Sequence, residues 1–313
     1  MKLRLLSSLA LLLVVIVPIV TLAVDFDYQL KPVKVAEDSY VFIGKTEDFT
    51  FENGGNIVNT AFVVTTAGVV VIDTGPSLRY GEQMKQAIAT ITDKEITRVF
   101  ITHHHPDHFL GNQAFQNNPI SALKSTISNI NSEGAGFADN LYLMVGDWMR
   151  GTAVLAPSGE LTPGVIKLGN HEFELLLFSG HTNSDLVILD RSTGVLFTGD
   201  VVFNKRTLTT PHADIQQWLS SIKEINKLSY KTLVPGHGPI STDDKALKEM
   251  VDYLQWLDAN LKSAAAKGLS MIETMQLPLP KSFNSNALLQ QEYLRSVTHL
   301  FASYENIVFK RSN

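Results

Sequence analysis

The feature that most constrains this chain is a cluster of histidines and one aspartate that follows an apolar segment. Residues 102–108 place three imidazoles and one carboxylate of a His-x-His-x-Asp-His pattern within six residues. In an extended backbone, side chains two residues apart face the same way, so the first two histidines of the pattern can bind one metal ion. The turn at Pro106 directs the last two side chains towards a second ion. The predicted ligands are His103, His105, Asp107 and His108, whereas His104 points elsewhere.

Further ligands must come from distant strand ends, because the loop alone completes neither site. His181 would complete the first site and His237 the second, and Asp200 could bridge the two ions with one carboxylate oxygen on each. The chain contains no cysteine, so every ligand must offer nitrogen or oxygen, which suits two open zinc sites. Three other histidines are not part of this ligand pattern and are interpreted as structural or surface residues: His171, His212 and His299.

Strand and helix patterns alternate along the chain and predict an α/β protein. Runs rich in Val, Ile and Phe, bounded by Gly, Asn or Asp, predict short and largely buried strands. These runs cover residues 39–44, 57–65, 68–73, 98–102, 165–168, 172–179, 185–190, 195–198 and 232–235. Apolar residues at helical spacing predict helices over 80–91, 214–228, 242–268 and 288–304. Several predicted metal ligands fall just beyond the carboxyl ends of these strands.

The first 23 residues are predicted to be an export signal that is cleaved after Ala23. Lys2 and Arg4 precede an uninterrupted apolar run at 9–17, and small residues precede the cleavage point. The alternative is an uncleaved membrane anchor, but Pro18 interrupts the run, which is much shorter than the ~20 residues of a spanning helix. We therefore expect a periplasmic or secreted protein.

Residues 24–313 are expected to form a single domain. The stretch 120–163 mixes Gly, Asn and Ser with large apolar residues and is interpreted as an insertion that shapes the pocket. Residues 242–313 are predicted to contribute C-terminal helices that cover a sheet. No basic stripe, heptad array or fixed-period repeat is present, which excludes coiled-coil and solenoid classes.

The charge of the chain argues against a polyanionic partner. The formal net charge is −5, and the predicted signal carries two of the cations, so the exported chain would be more acidic still. This disfavours nucleic-acid binding and RNA-processing nuclease activity. We expect a small-molecule substrate and contact with a membrane only through the export signal, and leave protein partners open.

The metal pattern resembles that of the metallo-β-lactamase superfamily. The resemblance extends over about 40–239 and includes the segments Asp73-Thr74-Gly75 and Gly111-Asn112. It implies a four-layer αβ/βα sandwich, in which two mixed sheets are flanked by helices and the ions lie in a cleft at one edge. The residues that carry it, in the expected order, are His103, His105, Asp107, His108, His181, Asp200 and His237.

Within the superfamily, two finer resemblances bear on function. The exported start, Asn56, Asn59 and the Trp148 region are similar to the secreted subgroup called quinoprotein relay system zinc metallohydrolases. Asp200 occupies the place of the cysteine found in one group of zinc β-lactamases, which makes the site similar to that of glyoxalase II. Antibiotic hydrolysis is therefore not the expected native role, although another lactamase group also lacks that cysteine.

The predicted activity is zinc-dependent hydrolysis. Two zinc ions ~3.5–4 Å apart would hold a bridging hydroxide that attacks the carbonyl of an ester, thioester, lactone or amide. Asp107 is the predicted catalytic residue, because it could orient the hydroxide and later carry a proton. Asp73 is predicted to accept hydrogen bonds from the ligand loop and fix its orientation, the alternative being a helix cap before Tyr80.

Substrate contacts are harder to predict than metal ligands. Phe109 and Trp148 could supply an apolar wall, although aromatic residues more often pack in a core. Lys205 or Arg206, a few residues after the bridging aspartate, could meet a substrate carboxylate, the alternative being a solvated surface cation.

Two other functions remain open at the level of sequence. Sulfur dioxygenases of the same superfamily carry a similar pattern and use one iron ion, which His103, His181 and Asp200 would hold here. The second is a non-catalytic role as a metal-binding accessory protein. Metal content and oxygen consumption separate the dioxygenase from the hydrolase.

Overall fold

The two halves of the chain form two sheets that pack face to face between helices. A computed structural model describes residues 26–312. The predicted export signal at 1–23 lies outside the described residues. No helix within 26–312 is both long and apolar enough to cross a membrane.

The first sheet has seven strands that follow one another in sequence order. The first four are antiparallel to their neighbours, and the pairs from the fourth strand onward are parallel. The strands are β1 Val33–Ala36, β2 Ser39–Phe42, β3 Thr60–Thr65, β4 Gly68–Ile72, β5 Ile96–Phe100, β6 Ile120–Leu123 and β7 Gly159–Leu161.

The second sheet has five strands in the order β12-β11-β10-β9-β8. Its pairs are antiparallel except β11 with β12, which is parallel. The strands are β8 Gly164–Leu168, β9 His171–Phe178, β10 Asp185–Asp190, β11 Val195–Phe197 and β12 Thr232–Val234. Central strand β10 is buried along its whole length, as a strand covered on both faces must be.

Seven α-helices cover the sheets or connect their strands within the described residues. Two helix starts follow from local sequence: the Ser77 hydroxyl accepts a hydrogen bond from the Tyr80 backbone N–H, and the Asp214 carboxylate accepts two from Gln216 and Gln217. The helices are α1 Leu78–Ala89, α2 Pro106–Phe109, α3 Lys124–Val145, α4 Ile215–Ile225, α5 Lys245–Ala266, α6 Met271–Met275 and α7 Leu289–Ser312.

Three apolar cores separate four layers. Buried side chains from both sheets, including Phe100 and Phe197, fill the middle. Helices α1 and α3 cover the outer face of the first sheet through residues such as Met84 and Ile130. Helices α4, α5 and α7 cover the second sheet around Leu257. The fold is therefore a four-layer αβ/βα sandwich with two mixed sheets flanked by helices, which confirms the predicted class.

The segment 120–163 is more regular than its composition suggests. It forms β6, the 22-residue helix α3 and β7, so it adds two strands to the first sheet. Helix α3 turns Ile130, Gly134 and Leu141 inward, while Leu143 is 83% exposed. Phe137 and Met144, also on α3, line the cleft described below.

Candidate metal centre

Four chain segments bring the predicted metal ligands to one end of the sandwich, because each segment lies at a strand end. The histidine cluster follows β5, His181 lies between β9 and β10, Asp200 follows β11 and His237 follows β12. All seven ligands are buried. They form two groups: His103, His105 and His181 with Asp200, and Asp107 and His108 with His237.

The first group converges on a point between three imidazoles. His105 Nδ1 lies 2.9 Å from His181 Nε2, and the centroids of the His103, His105 and His181 rings are 4.6–4.8 Å apart. Asp200 Oδ2 lies 3.3 Å from His181 Nε2 and 3.8 Å from His103 Nε2. Three nitrogens and one oxygen at this spacing can surround a single ion.

The second group lies on the other side of Asp200. Asp107 Oδ2 lies 3.3 Å from His237 Nε2 and 3.9 Å from His108 Nε2. Asp200 approaches the same two rings, with Oδ1 3.1 Å from His108 Nε2 and Oδ2 3.3 Å from His237 Nε2. The Asp200 carboxylate therefore lies between the two groups, where a bridging ligand has to be.

The nitrogen and oxygen atoms of these two groups are better placed to bind a metal ion than to form hydrogen bonds with one another. His103 Nε2 is buried and has no hydrogen-bond partner among the described residues, and His108 Nε2 and Asp200 Oδ1, although 3.1 Å apart, are not aligned for a hydrogen bond. Buried polar atoms without partners are rare because each costs about 1–3 kcal/mol. In the first group, burial also lowers the pKa of His103 and His105 well below the ordinary value, and that of His181 to about 3. In the second group, burial acts on His108 in the same direction, but the carboxylates of Asp200, Asp73 and Asp107 raise its pKa well above the ordinary value. Neutral imidazole is the form that binds a metal ion.

The Asp73 carboxylate holds the ligand loop through hydrogen bonds to Thr102 and His108. One of its oxygens accepts from the Thr102 backbone N–H at 2.8 Å, and the other accepts from the Thr102 hydroxyl and from His108 Nδ1, each at 2.8 Å. Because His108 Nδ1 carries the donated proton, Nε2 is left to face the metal group. These contacts are of the kind expected of a residue that orients the ligand loop, whereas the N-cap of α1 is Ser77.

His237 is oriented by contacts of the same kind. Its Nδ1 donates to the Ile57 carbonyl at 2.7 Å, and its ring stacks on Phe203 with centroids 5.0 Å apart. The Asn59 amide donates to the carbonyls of Pro235 and Gly238, at 2.9 and 2.8 Å. The start of β3 therefore fixes the loop that carries this ligand.

Gly236 is expected to be indispensable for the metal centre. A Cβ at this position would collide with Asp200 Oδ1 and lie 2.7 Å from the Gly199 carbonyl carbon. We expect Gly236→Ala to displace Asp200 and lower metal affinity about 10- to 100-fold, as measured by competition with a chelator. Gly136→Ala is the matched control, because a Cβ on that exposed residue of α3 meets nothing within 4 Å. Metal binding by Gly236→Ala at wild-type strength would contradict this account.

An open cleft of about 380 Å³ gives access to the metal groups. Its floor includes ligand residues from both groups, such as His105 and Asp107. One part of the wall is apolar and another carries arginine and histidine side chains. The wall includes Phe49, Ile57, Phe137, Met144, Arg206, His212, Arg295 and His299.

The structure brings only one of the four predicted substrate contacts into the cleft. Phe109 is fully buried in the core beneath the first sheet, and Trp148 packs there against Tyr28 and donates to the Phe51 carbonyl. Lys205 is on the surface, where it pairs with Glu249 at 2.6 Å. Arg206 lines the cleft, buried and paired with Glu292 Oε1 at 3.3 Å.

Other cleft residues escaped prediction because they come from distant parts of the chain. Arg295 and His299 lie on α7, Phe137 and Met144 on α3, and no local motif marks any of them. Arg295 donates to Asp48 Oδ2 at 3.1 Å and thereby joins α7 to the loop before β3. His212, interpreted from sequence as a structural or surface residue, lies 2.8 Å from His105 Nε2.

Comparison with known proteins extends these observations. A family model described as the metallo-beta-lactamase superfamily matches residues 53–237, more than half of the chain and all seven predicted ligands. A structure described as a metallo-beta-lactamase from Pontibacter korlensis is similar in fold, with a TM-score of 0.60 and 22% identity, and covers 72% of this chain and 99% of that chain.

Two curated proteins are similar in sequence at low identity. The beta-lactamase-like protein 2 homolog of Caenorhabditis elegans is 25% identical over 199 residues, which are 63% of this chain and 60% of that protein. The acyl-coenzyme A thioesterase MBLAC2 of Homo sapiens is 23% identical over 218 residues, 60% of this chain and 75% of that protein. The match thus spans about three fifths of the length of the nematode relative.

Proposed function

The chain belongs to the metallo-beta-lactamase superfamily, and on that premise we propose that it is an exported, zinc-dependent hydrolase of a small carbonyl compound. The observation that carries the proposal is the pair of complete ligand groups that share Asp200. Each group offers three or four nitrogen and oxygen donors, and the cleft leaves both open to a substrate. Such sites are typical of catalytic rather than structural zinc.

Two ions are proposed rather than one because the second group, with the shared Asp200, offers as many donors as the first. A single iron ion would need only His103, His181 and Asp200. That arrangement would leave Asp107, His108 and His237 as a buried, convergent set without a ligand. The burial of these three side chains near one another is costly unless something binds between them.

Zinc at these positions would supply a Lewis acid for the carbonyl oxygen and a hydroxide nucleophile at neutral pH. The residues of the chain would orient the reacting groups and transfer protons between them. His103, His105 and His181 would hold one ion, and Asp107, which lines the cleft, would face the reacting water. The Asp107 carboxylate would accept a hydrogen bond from that water and pass the proton to the departing group. Asp73 and the Ile57 carbonyl keep the ligand imidazoles in the required tautomer.

The proposed substrate is an ester, thioester, lactone or amide with both apolar and polar parts. Phe49, Ile57 and Met144 would contact an apolar group. Arg206 and Arg295 line the same cleft and would meet a carboxylate or a similar anion. Of the two cations considered from the sequence, Arg206 and not Lys205 is therefore the proposed substrate contact. The thioesterase among the relatives supports a thioester as one candidate.

The location and the finer family assignment also belong to the proposal. Export is inferred from residues 1–23, which would place the enzyme in the periplasm or outside the cell. Membership of the quinoprotein relay system subgroup is proposed on the resemblance of the start of the chain, Asn56, Asn59 and the Trp148 region. The acidic chain supports a small-molecule substrate rather than a nucleic acid.

The experiment that tests the proposal combines metal analysis with a substrate panel. The mature protein, purified from its native compartment, is expected to contain about two zinc ions per chain and to hydrolyse at least one compound among lactones, thioesters, esters and β-lactams. Zinc removal by a chelator should abolish turnover, and zinc addition should restore it. One iron per chain with sulfur-dependent oxygen uptake would instead assign the protein to the dioxygenases. Two zinc ions without hydrolysis across the panel would favour the non-catalytic role.

A further inference from the structure

A second triangle of imidazoles lies beside the metal centre and shares one histidine with it. The ring centroids of His104, His105 and His212 are 5.1–5.2 Å apart. One ligand atom from each of the three lies within 4.8 Å of the others. The rings of the first metal group, at 4.6–4.8 Å, are only slightly closer together.

We propose that His104, His105 and His212 form a third cation site at the rim of the cleft, for a divalent transition metal such as zinc. His105 Nδ1 faces His181 Nε2 at 2.9 Å inside the first metal group. On the opposite edge of the same ring, His105 Nε2 faces His212 Nδ1 at 2.8 Å. The two edges of His105 therefore meet their imidazole neighbours in the same way. Both nitrogens of His105 thus face an imidazole nitrogen within 3 Å, and an ion at each edge would make this ring a bridging imidazolate.

His104 supplies the third nitrogen. Its Nδ1 is buried and has no hydrogen-bond partner among the described residues, although the ring belongs to the triangle. A hydrogen bond between His105 and His212 alone would leave this nitrogen unsatisfied at a cost of about 1–3 kcal/mol. A cation held by His104 Nδ1, His105 Nε2 and His212 Nδ1 would satisfy all three atoms.

Glu133 lies on the outer side of the triangle. Its Oε2 lies 3.6 Å from His212 Nε2 and 4.0 Å from His104 Nε2. These are the nitrogens that remain after the proposed ligand atoms have been assigned. Imidazole ligands commonly direct their second nitrogen to a carboxylate, which fixes the tautomer and raises the basicity of the ring. At 3.6 and 4.0 Å these are ion-pair contacts, and one carboxylate that faces both rings is compatible with an ion bound between them.

The surroundings favour a transition metal over calcium or magnesium. All three proposed ligand atoms are imidazole nitrogens, which suit zinc or copper, whereas calcium and magnesium take oxygen ligands. Phe137 packs over the triangle, with its centroid 5.9–6.1 Å from each of the three rings, and limits the access of water. Since His105 would bridge two ions, binding displaces the proton from its Nε2 into solvent. His105 and His212 line the cleft, so the third ion would border the substrate.

The test is the zinc stoichiometry of the full chain. Equilibrium dialysis against graded free zinc, followed by elemental analysis, should give a third ion per chain after the first two have bound. His212→Ala and His104→Ala should each stop at two, and the two retained ions report that the fold survives. Glu133→Gln should weaken the third ion about 10- to 100-fold and leave the first two unchanged. His299→Ala is the matched control, because this exposed histidine lines the same cleft outside the triangle.

Two results would overturn the third site. One is a wild-type chain that never exceeds two ions, which would leave His212 as a hydrogen-bond acceptor for His105. The other is a third ion that persists in both His212→Ala and His104→Ala. Neither result depends on turnover, so the third site can fail while the proposed hydrolase stands. Conversely, the absence of hydrolysis by a chain that binds three ions would contradict the proposed function alone.

Discussion

Replacement of Asp107 by alanine is expected to reduce turnover about 10²- to 10⁴-fold, the range over which a positioned acid or base acts. Asp107 Oδ2 lies 3.3 Å from His237 Nε2 and forms part of the cleft wall, so it faces both the second metal group and the substrate. Its loss would remove one proposed metal ligand and the group that would move the proton. The measurement is kcat on whichever panel substrate the wild type hydrolyses, together with metal content.

Two further variants make this result specific. Asp107→Asn retains the size and one oxygen of the side chain but not the charge, so it should retain more metal than Asp107→Ala and still lose turnover. Asp139→Ala removes an exposed carboxylate from α3 and should leave kcat unchanged. Wild-type kcat in Asp107→Ala with both ions bound would remove Asp107 from the mechanism.

Most strands could be predicted from the sequence because their burial makes them strongly apolar. Strand β10 matches its prediction at both ends, and β4 and β11 each end one residue earlier than predicted. Strand β1, Val33–Ala36, was not predicted because it lies exposed at the edge of the sheet. Only a buried strand needs a strongly apolar sequence. The register of strands in a sheet is likewise a tertiary property that no local window contains.

Helix α3 was missed for a different physical reason. Its sequence contains Gly134 and Gly136 among several Ser and Asn residues, each of which lowers intrinsic helix propensity. Packing overrides that preference here: Gly134 faces Val154 and Phe109 at close range, where a larger side chain would not fit. Tertiary contacts of this kind cannot be deduced from composition.

The candidate metal centre was more predictable than the cleft around it. The ligands must be particular residue types at particular strand ends, and few arrangements of His103, Asp200 and His237 satisfy that requirement. The cleft wall needs only shape and polarity, which segments as distant as Phe49 and Arg295 supply through the fold. The sequence prediction took both cations that follow Asp200 as possible substrate contacts. In the structure these adjacent residues face opposite ways: Lys205 pairs with Glu249 on the surface, and Arg206 is buried beside Glu292.

Replacement of Asp73 by alanine is expected to lower the free energy of unfolding by about 3 kcal/mol or more. At least two buried donors, the Thr102 N–H and His108 Nδ1, would lose their acceptor at about 1–3 kcal/mol each. For a folded chain of this size, a loss of 3 kcal/mol corresponds to a fall in Tm of roughly 5 °C. Metal affinity should also fall about 10- to 100-fold, because His108 is no longer held in orientation. Thermal unfolding with and without zinc measures both effects.

Asp190 offers a close control for Asp73 because its hydrogen bonds are of the same types. It is buried and accepts from His171 Nδ1 at 2.9 Å, from the Thr193 hydroxyl at 2.6 Å and from the Ser192 N–H at 3.1 Å, away from the metal groups. Asp190→Ala should therefore lower the Tm to a similar extent while zinc affinity stays at the wild-type value. Equal losses of zinc affinity in the two variants would mean that Asp73 acts only through global stability. A loss confined to Asp73→Ala would identify it as the residue that aligns His108 for the metal.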